Sequence, residues 1–200
     1  MRIACSLGSL LSVEEVLQCT QIISDTKIDS IWIPETWGME NFSMLGAVAN
    51  KTKTQKIGSS IINIYSRSPS TISMGAATTD TLSNGRLILG LGTSSVPIVE
   101  DFHGEKFENP VQRMREYVEI IRLSLTKKQI NYSGKIFDLK NFTLLIEPKR
   151  KSIPIYLAAI NEKMVNLCWE IGDGVIFYLR PIDEMKKTIS KMQSQKNIDV

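Results

Sequence analysis

"TLSNGRLILGLG", Thr81 to Gly92, holds the end of one element and the whole of the next. Ser83-Asn84-Gly85-Arg86 reads as a helix stop, because Asn84 or Gly85 can take the left-handed backbone conformation common at helix C-termini. Leu87 to Gly92 are then apolar or glycine throughout. A strand with one buried face alternates, whereas a strand covered on both faces of a parallel sheet runs near-continuously apolar. The stretch therefore reads as a helix feeding a two-sided parallel strand, the repeating joint of an α/β fold.

Outward from this joint, short apolar runs alternate with helix-period segments along the whole chain. Toward the N-terminus, Arg2–Cys5, Ser30–Ile33 and Ile57–Ile62 read as strands. Ser12 with Glu15 has the signature of a capping box ahead of an apolar stripe at Val16, Ile22 and Ile23. Met44–Asn50 and Ser70–Leu82 are the next two predicted helices. Toward the C-terminus, Val111–Leu125 repeats apolar positions at helical spacing, and "YSGKIFDL" with "FTLLI" reads as a hairpin. Ile153–Ala158 and Gly174–Phe177 are predicted strands, Glu162–Ile171 and Met185–Met192 predicted helices.

About six βα units result, in the rhythm of an α/β fold of (β/α)8 TIM-barrel type truncated after the sixth, since a complete barrel takes about 250 residues. An open doubly wound sheet is the alternative, although the first βα turn, "SLGSL", lacks the GxGxxG of its dinucleotide-binding form. Residues 1–200 read as a single domain, incomplete at the C-terminus, with a loop and hairpin insertion around 93–147. Either the chain is a fragment or a partner closes the wall. Unpaired edges on the first and sixth strands invite association, so a homo-oligomer is one expectation.

Composition narrows the function. With 42% hydrophobic residues among 200, one sizeable core can form. The 24 basic and 21 acidic residues are interspersed, apart from Lys149-Arg150-Lys151, which reads as a solvated loop, so no nucleic-acid partner is expected. Three separated cysteines argue for reduced thiols in a cytoplasmic protein. No apolar run approaches the roughly 18 residues of a membrane span.

In either architecture the ligand site lies at the C-terminal ends of the parallel strands. The residues there are mostly small or neutral polar: Ser6-Leu7-Gly8, Pro34-Glu35-Thr36-Trp37, Asn63, Gly92-Thr93-Ser94-Ser95, Ala159-Ile160-Asn161 and Tyr178. The only histidine, His103, has no nucleophile beside it, and scattered carboxylates offer no metal-ligand spacing, so neither a Ser-His-Asp triad nor a metal site is expected. A pocket of hydrogen-bond donors and apolar walls suits a flat redox cofactor that carries its own chemistry.

"TLSNGRLILGLG" at 81–92 resembles the helix-strand signature of the luciferase-like monooxygenase superfamily. "SIINIYSRSP" at 60–69 resembles the preceding strand of its deazaflavin (coenzyme F-420)-dependent members. "FHGEKFENPVQRMREYVEIIR", "YSGKIFDL" and "IPIYLAAINEKMVNLCWEIGDGVI" extend the resemblance over about residues 1–185. It implies an oxidoreductase that moves hydride between an 8-hydroxy-5-deazaflavin and a small organic substrate. An FMN-dependent monooxygenase on the same scaffold, or a non-catalytic truncated subunit, are the alternatives.

The resemblance also implies roles for particular residues. The Ser60–Ile61 peptide would be cis and bulge against the back of the ring, with Asn63 facing the ring's polar edge. Glu35 would be a general acid or substrate contact, or else a surface carboxylate capping the next helix. Gly92 would admit a ligand close to the backbone. Members often place two glycines in the loop matching Ala158-Ala159-Ile160-Asn161. Here Ala159 and Asn161 would approach the cofactor's phosphate-bearing tail, Asn161 by tolerating the left-handed conformation, with Lys163 adding charge near the helix amides.

Overall fold

A computed structural model of the chain describes residues 2–8 and 10–200. Strands β1 (Ala4–Ser6), β2 (Ser30–Ile33), β3 (Lys56–Ser59), β4 (Ile62–Asn63) and β5 (Leu87–Gly92) are linked by helices α1 (Val13–Ser24), α2 (Asn41–Lys51) and α3 (Pro69–Leu82). A π-helical turn (Ile98–Phe102), α4 (Pro110–Thr126) and a hairpin of β6 (Ile130–Ser133) and β7 (Asp138–Phe142) follow. The chain then forms β8 (Ile155–Ala158), α5 (Glu162–Ile171), β9 (Gly174–Ile176) and α6 (Ile182–Gln193). The main sheet is parallel throughout in the order β1-β2-β3-β5-β8-β9, with β4 also paired to β5.

The two-sided burial expected of "LILGLG" is present: all six residues of β5 are buried. One sheet face packs on the helices through Ile31, Ile33, Ile57, Leu89 and Leu157, against Val16, Leu45, Val48, Ile72 and Met114. Burying each such side chain contributes about 1.5–3 kcal/mol. The other face is concave and carries bulk opposite glycine. Trp32 lies in register with Gly58, and Tyr156 with both Gly90 and Gly174. A Cβ at Gly58 would meet the Trp32 ring at 2.5 Å, and one at Gly174 the Tyr156 ring at 2.7 Å. The two rings approach to 5.7 Å across the interior.

Local signals explain the joints. Ser12 and Glu15 form the expected capping box. At the stop after α3, both Asn84 (φ 55°) and Gly85 (φ 81°) are left-handed. Arg86 then turns back under α2, donating to the carbonyls of Ala49 (2.9 Å) and Gln55 (2.6 Å). A guanidinium at that helix C-terminus meets the negative end of its dipole.

Three expectations need correcting. The third strand does not run unbroken from Ile57 to Ile62: it stops at Ser59 and resumes at Ile62. "YSGKIFDL" contains the turn of the hairpin itself, because Glu116, buried on α4, gathers the amides of Lys135, Ile136 and Phe137, and "FTLLI" leaves the hairpin after Phe142. Arg150 is no solvated loop cation. It pairs with the wholly buried Asp80 and donates to the Leu87 carbonyl at 2.6 Å, fastening the loop to the end of α3.

Candidate functional site

The break in the third strand shapes the site. The Ser60–Ile61 peptide is cis. Around it the ladder is maintained by a side chain: the Ser59 hydroxyl, fully buried, accepts from the Gly90 amide at 2.7 Å and donates to the Gly90 carbonyl at 2.9 Å. Gly90 has to be glycine, since a Cβ there would overlap the Ser59 carbonyl oxygen. Two residues on, the side chain of Ile61 occupies the space beside Gly92, where a Cβ would lie 2.6 Å from it. Ile61, in the break between β3 and β4, thus forms a smooth apolar shelf with Gly92 and Ala158 at the C-terminal ends of β5 and β8.

The shelf opens on a cavity of about 1450 Å³ along the concave face. Ser60, Ile61 and Gly92 line it, as do Ala159 and Asn161, and so does Glu35. Hydroxyls of Ser6, Thr93, Ser94 and Ser95 supply neutral donors among the lining groups. No group of three or more His, Cys, Asp or Glu among the described residues is placed to hold a metal ion.

The structure brings six of the expected site residues to one wall and leaves two off it. Asn63 is 4% exposed and behind the lining: its Oδ1 accepts from the Tyr65 amide at 2.9 Å, while Nδ2 is buried without a partner among the described residues. Lys163 is exposed on α5 and outside the lining. Asn161 adopts extended backbone (φ −91°), not the left-handed conformation, because it serves as the N-cap of α5, accepting from the Met164 amide at 3.0 Å. That cap leaves the first amides of the helix without intrahelical partners, at the edge of the cavity.

Glu35 is held from two sides. Arg67 donates to both its oxygens, at 2.6 and 2.7 Å, and the Asn41 amide donates at 3.0 Å. Glu40, the N-cap of α2, also takes the Arg67 guanidinium. The hydrogen bonds it donates to Glu35 raise the Arg67 guanidinium above its ordinary value against the opposing effect of burial. The polar run after the third strand therefore ties loops together. Arg67 clamps the β2–α2 loop, its carbonyl accepts from the Tyr117 hydroxyl at 2.6 Å, and the Tyr65 hydroxyl donates to the Glu108 carbonyl at 2.8 Å.

Sequence reasoning missed Ser59 and Arg67. The Ser59–Gly90 pair was legible only as two unremarkable small residues on neighbouring strands. Arg67 stood inside a quoted motif, but its partners lie 32 and 27 residues away. Trp37 and His103 are both exposed: Trp37 lines the mouth with its ring edge-on to Phe102, and His103 caps the π-helical turn outside the lining.

Residues 2–197 match the family described as luciferase-like monooxygenase. The chain belongs to that family. It is 38% identical over 157 residues to a 5,10-methylenetetrahydromethanopterin reductase of Archaeoglobus fulgidus, covering 78% of this chain and 46% of the relative. A putative coenzyme F-420-dependent oxidoreductase of Mycobacterium tuberculosis is 34% identical over 168 residues, covering 77% and 48%. The chain thus spans about half the length of the curated relatives it matches. The solved coenzyme F-420-dependent tetrahydromethanopterin reductase of Methanopyrus kandleri superposes with a TM-score of 0.88 at 21% identity, over 99% of this chain and 62% of that one. Its likeness shows the fold: the curved parallel sheet is the larger part of a luciferase-like TIM barrel, and the open doubly wound alternative falls away. No helix among the described residues is long and apolar enough to cross a membrane.

Proposed function

We propose that this chain forms the cofactor-binding wall of a coenzyme F-420-dependent oxidoreductase that passes hydride to or from a small organic substrate. The observation that carries the reading is the shelf of Ile61, Gly92 and Ala158, flat and apolar, bordered by neutral hydroxyls and opening on a cavity of about 1450 Å³. Both relatives described above, one a methylenetetrahydromethanopterin reductase and one a putative coenzyme F-420-dependent oxidoreductase, support it.

The donor set fits such a group. Ile61 and Gly92 would back the ring, and Ser60 would lie at its edge. The amides at the start of α5, presented by the Asn161 cap, would take an anionic tail, with Ala159 small enough to allow its approach. When bound, the deazaflavin supplies the carbon that donates or accepts hydride. Glu35, fixed by Arg67, orients the mouth loop, and Asn63 braces the strand end from behind the wall.

Absorbance titration of the purified full chain tests the reading. The deazaflavin should bind saturably and in preference to FMN. Gly92→Ala pushes Ile61 off its seat, and overpacking of 1–3 kcal/mol at the shelf should weaken binding by about tenfold or more. Tighter binding of FMN would favour the monooxygenase alternative, and unaltered affinity in Gly92→Ala would remove the shelf from the site.

A further inference from the structure

We propose that the substrate presents an uncharged apolar or aromatic face to a collar of Trp37, Phe102, Ile160 and Tyr178, and that phosphorylated or carboxylated groups are excluded from this side of the mouth. The inference rests on the redox reading above and deepens it by naming the substrate's chemical class.

Scattered exposed apolar side chains are ordinary, but a cluster of them marks a binding surface. These four are 73%, 59%, 73% and 66% exposed, and they follow four different strands, β2, β5, β8 and β9. Three of them line the cavity. The fourth, Phe102, reaches the first by an edge contact with Trp37 at 5.7 Å and 89°. The collar is thus assembled from separate βα loops, on the side of the sheet where the shelf ends.

Charge points the same way. The cavity's lining cations are Arg2, Lys27 and Lys56, and all precede or begin a strand, at the opposite end from the mouth. Beside the mouth, Arg67 is neutralised by Glu35 and Glu40. An anionic substrate group at the collar would be partly dehydrated against apolar and aromatic side chains and would find no cation at that end among the described lining residues, so nothing there would offset the cost. The amides at the start of α5 lie on the same rim, but the redox reading gives them to the cofactor's tail.

Calorimetric binding to the full chain, with 2-naphthol and glucose 6-phosphate as probes and the cofactor titrated separately, tests this. 2-Naphthol should bind saturably, and Phe102→Ala and Tyr178→Ala should each weaken it about fivefold to tenfold. Cofactor affinity in both variants should match the parent, and glucose 6-phosphate should not displace the naphthol. Displacement by glucose 6-phosphate, or parental naphthol affinity in both variants, would overturn the inference. Both side chains are exposed, so unchanged melting identifies a lost binding site and not a lost fold. Should no deazaflavin or flavin bind while naphthol binding still depends on Tyr178, the redox reading fails and the collar stands.

Discussion

Glu116 offers the sharpest test of how the insertion is held to the barrel. Its carboxylate is wholly buried and accepts from Gln112 Nε2 (2.8 Å) and from the amides of Lys135 (2.8 Å), Ile136 (3.1 Å) and Phe137 (2.9 Å). Hydrogen bonds to a charged acceptor contribute about 1.5–3 kcal/mol each when shielded, and about 1 kcal/mol where water can replace the partner. Lys135 is exposed and Ile136 and Phe137 are half-buried, so the lower figure applies. Four such bonds, less the relief of removing a buried charge, put the cost of Glu116→Ala at about 3 kcal/mol. For a chain of this size that corresponds to a loss of about 6–12 °C in Tm.

The pH dependence has a definite sign. Burial pushes the Glu116 carboxyl up, but Gln112 and the three amides outweigh it and hold it below its ordinary 4.5. In the unfolded chain the proton is taken up near 4.5, so the contribution is complete above that value and is lost as pH falls through the lower native value. The melting difference between parent and Glu116→Ala should therefore be constant near neutrality and shrink on acidification below 4.5. Scanning calorimetry from pH 7 to pH 3, with hydrogen exchange at 135–137, would measure both effects. A Tm within about 2 °C of the parent at neutral pH, with those amides exchanging no faster, would refute the reasoning.

Two further outcomes concern the scaffold. Gly90→Ala forces a methyl into the Ser59 carbonyl and should cost at least about 3 kcal/mol in urea unfolding, whereas Gly46→Ala, in the interior of α2 with its nearest neighbour at 3.6 Å, should gain about 0.5–1 kcal/mol. Arg150→Met leaves Asp80 buried without its cation and should cost about 3 kcal/mol, a loss that persists in 1 M salt because the carboxylate is shielded from screening.

The fold was legible because its signals are local. Ser12 with Glu15, Ser83-Asn84-Gly85 and the unbroken apolarity of β5 each act within a few residues, and each appears where periodicity places it. The boundaries that slipped were decided from outside the segment. The hairpin turn sits where Glu116 gathers three amides, and Arg150 turns inward because Asp80 needs a counterion 70 residues away. The site was legible in outline only. Residues just past the strands do converge, but Asn63, the last residue of β4, sits behind the wall, where its side-chain Oδ1 is taken by the Tyr65 amide.

What no single stretch could disclose is that "GSSI" and "LGLG" are complementary halves of one device. The Ser59 hydroxyl bonds Gly90 at an offset of 31 residues, and the Ile61 side chain lies against Gly92 at the same offset. In each pair the glycine supplies the room that the other strand's irregularity requires. The first pair lets a hydroxyl stand in for ladder bonds lost at the break, and the second lets a branched side chain turn into the cavity as its floor. Either glycine alone reads as a thin place in a strand. Together with the serine and isoleucine they convert a regular barrel wall into a shelf, so substitutions at Ser59 and Gly90 should be coupled: Ser59→Ala combined with Gly90→Ala should cost measurably less than the two singles added, because both destroy the same junction.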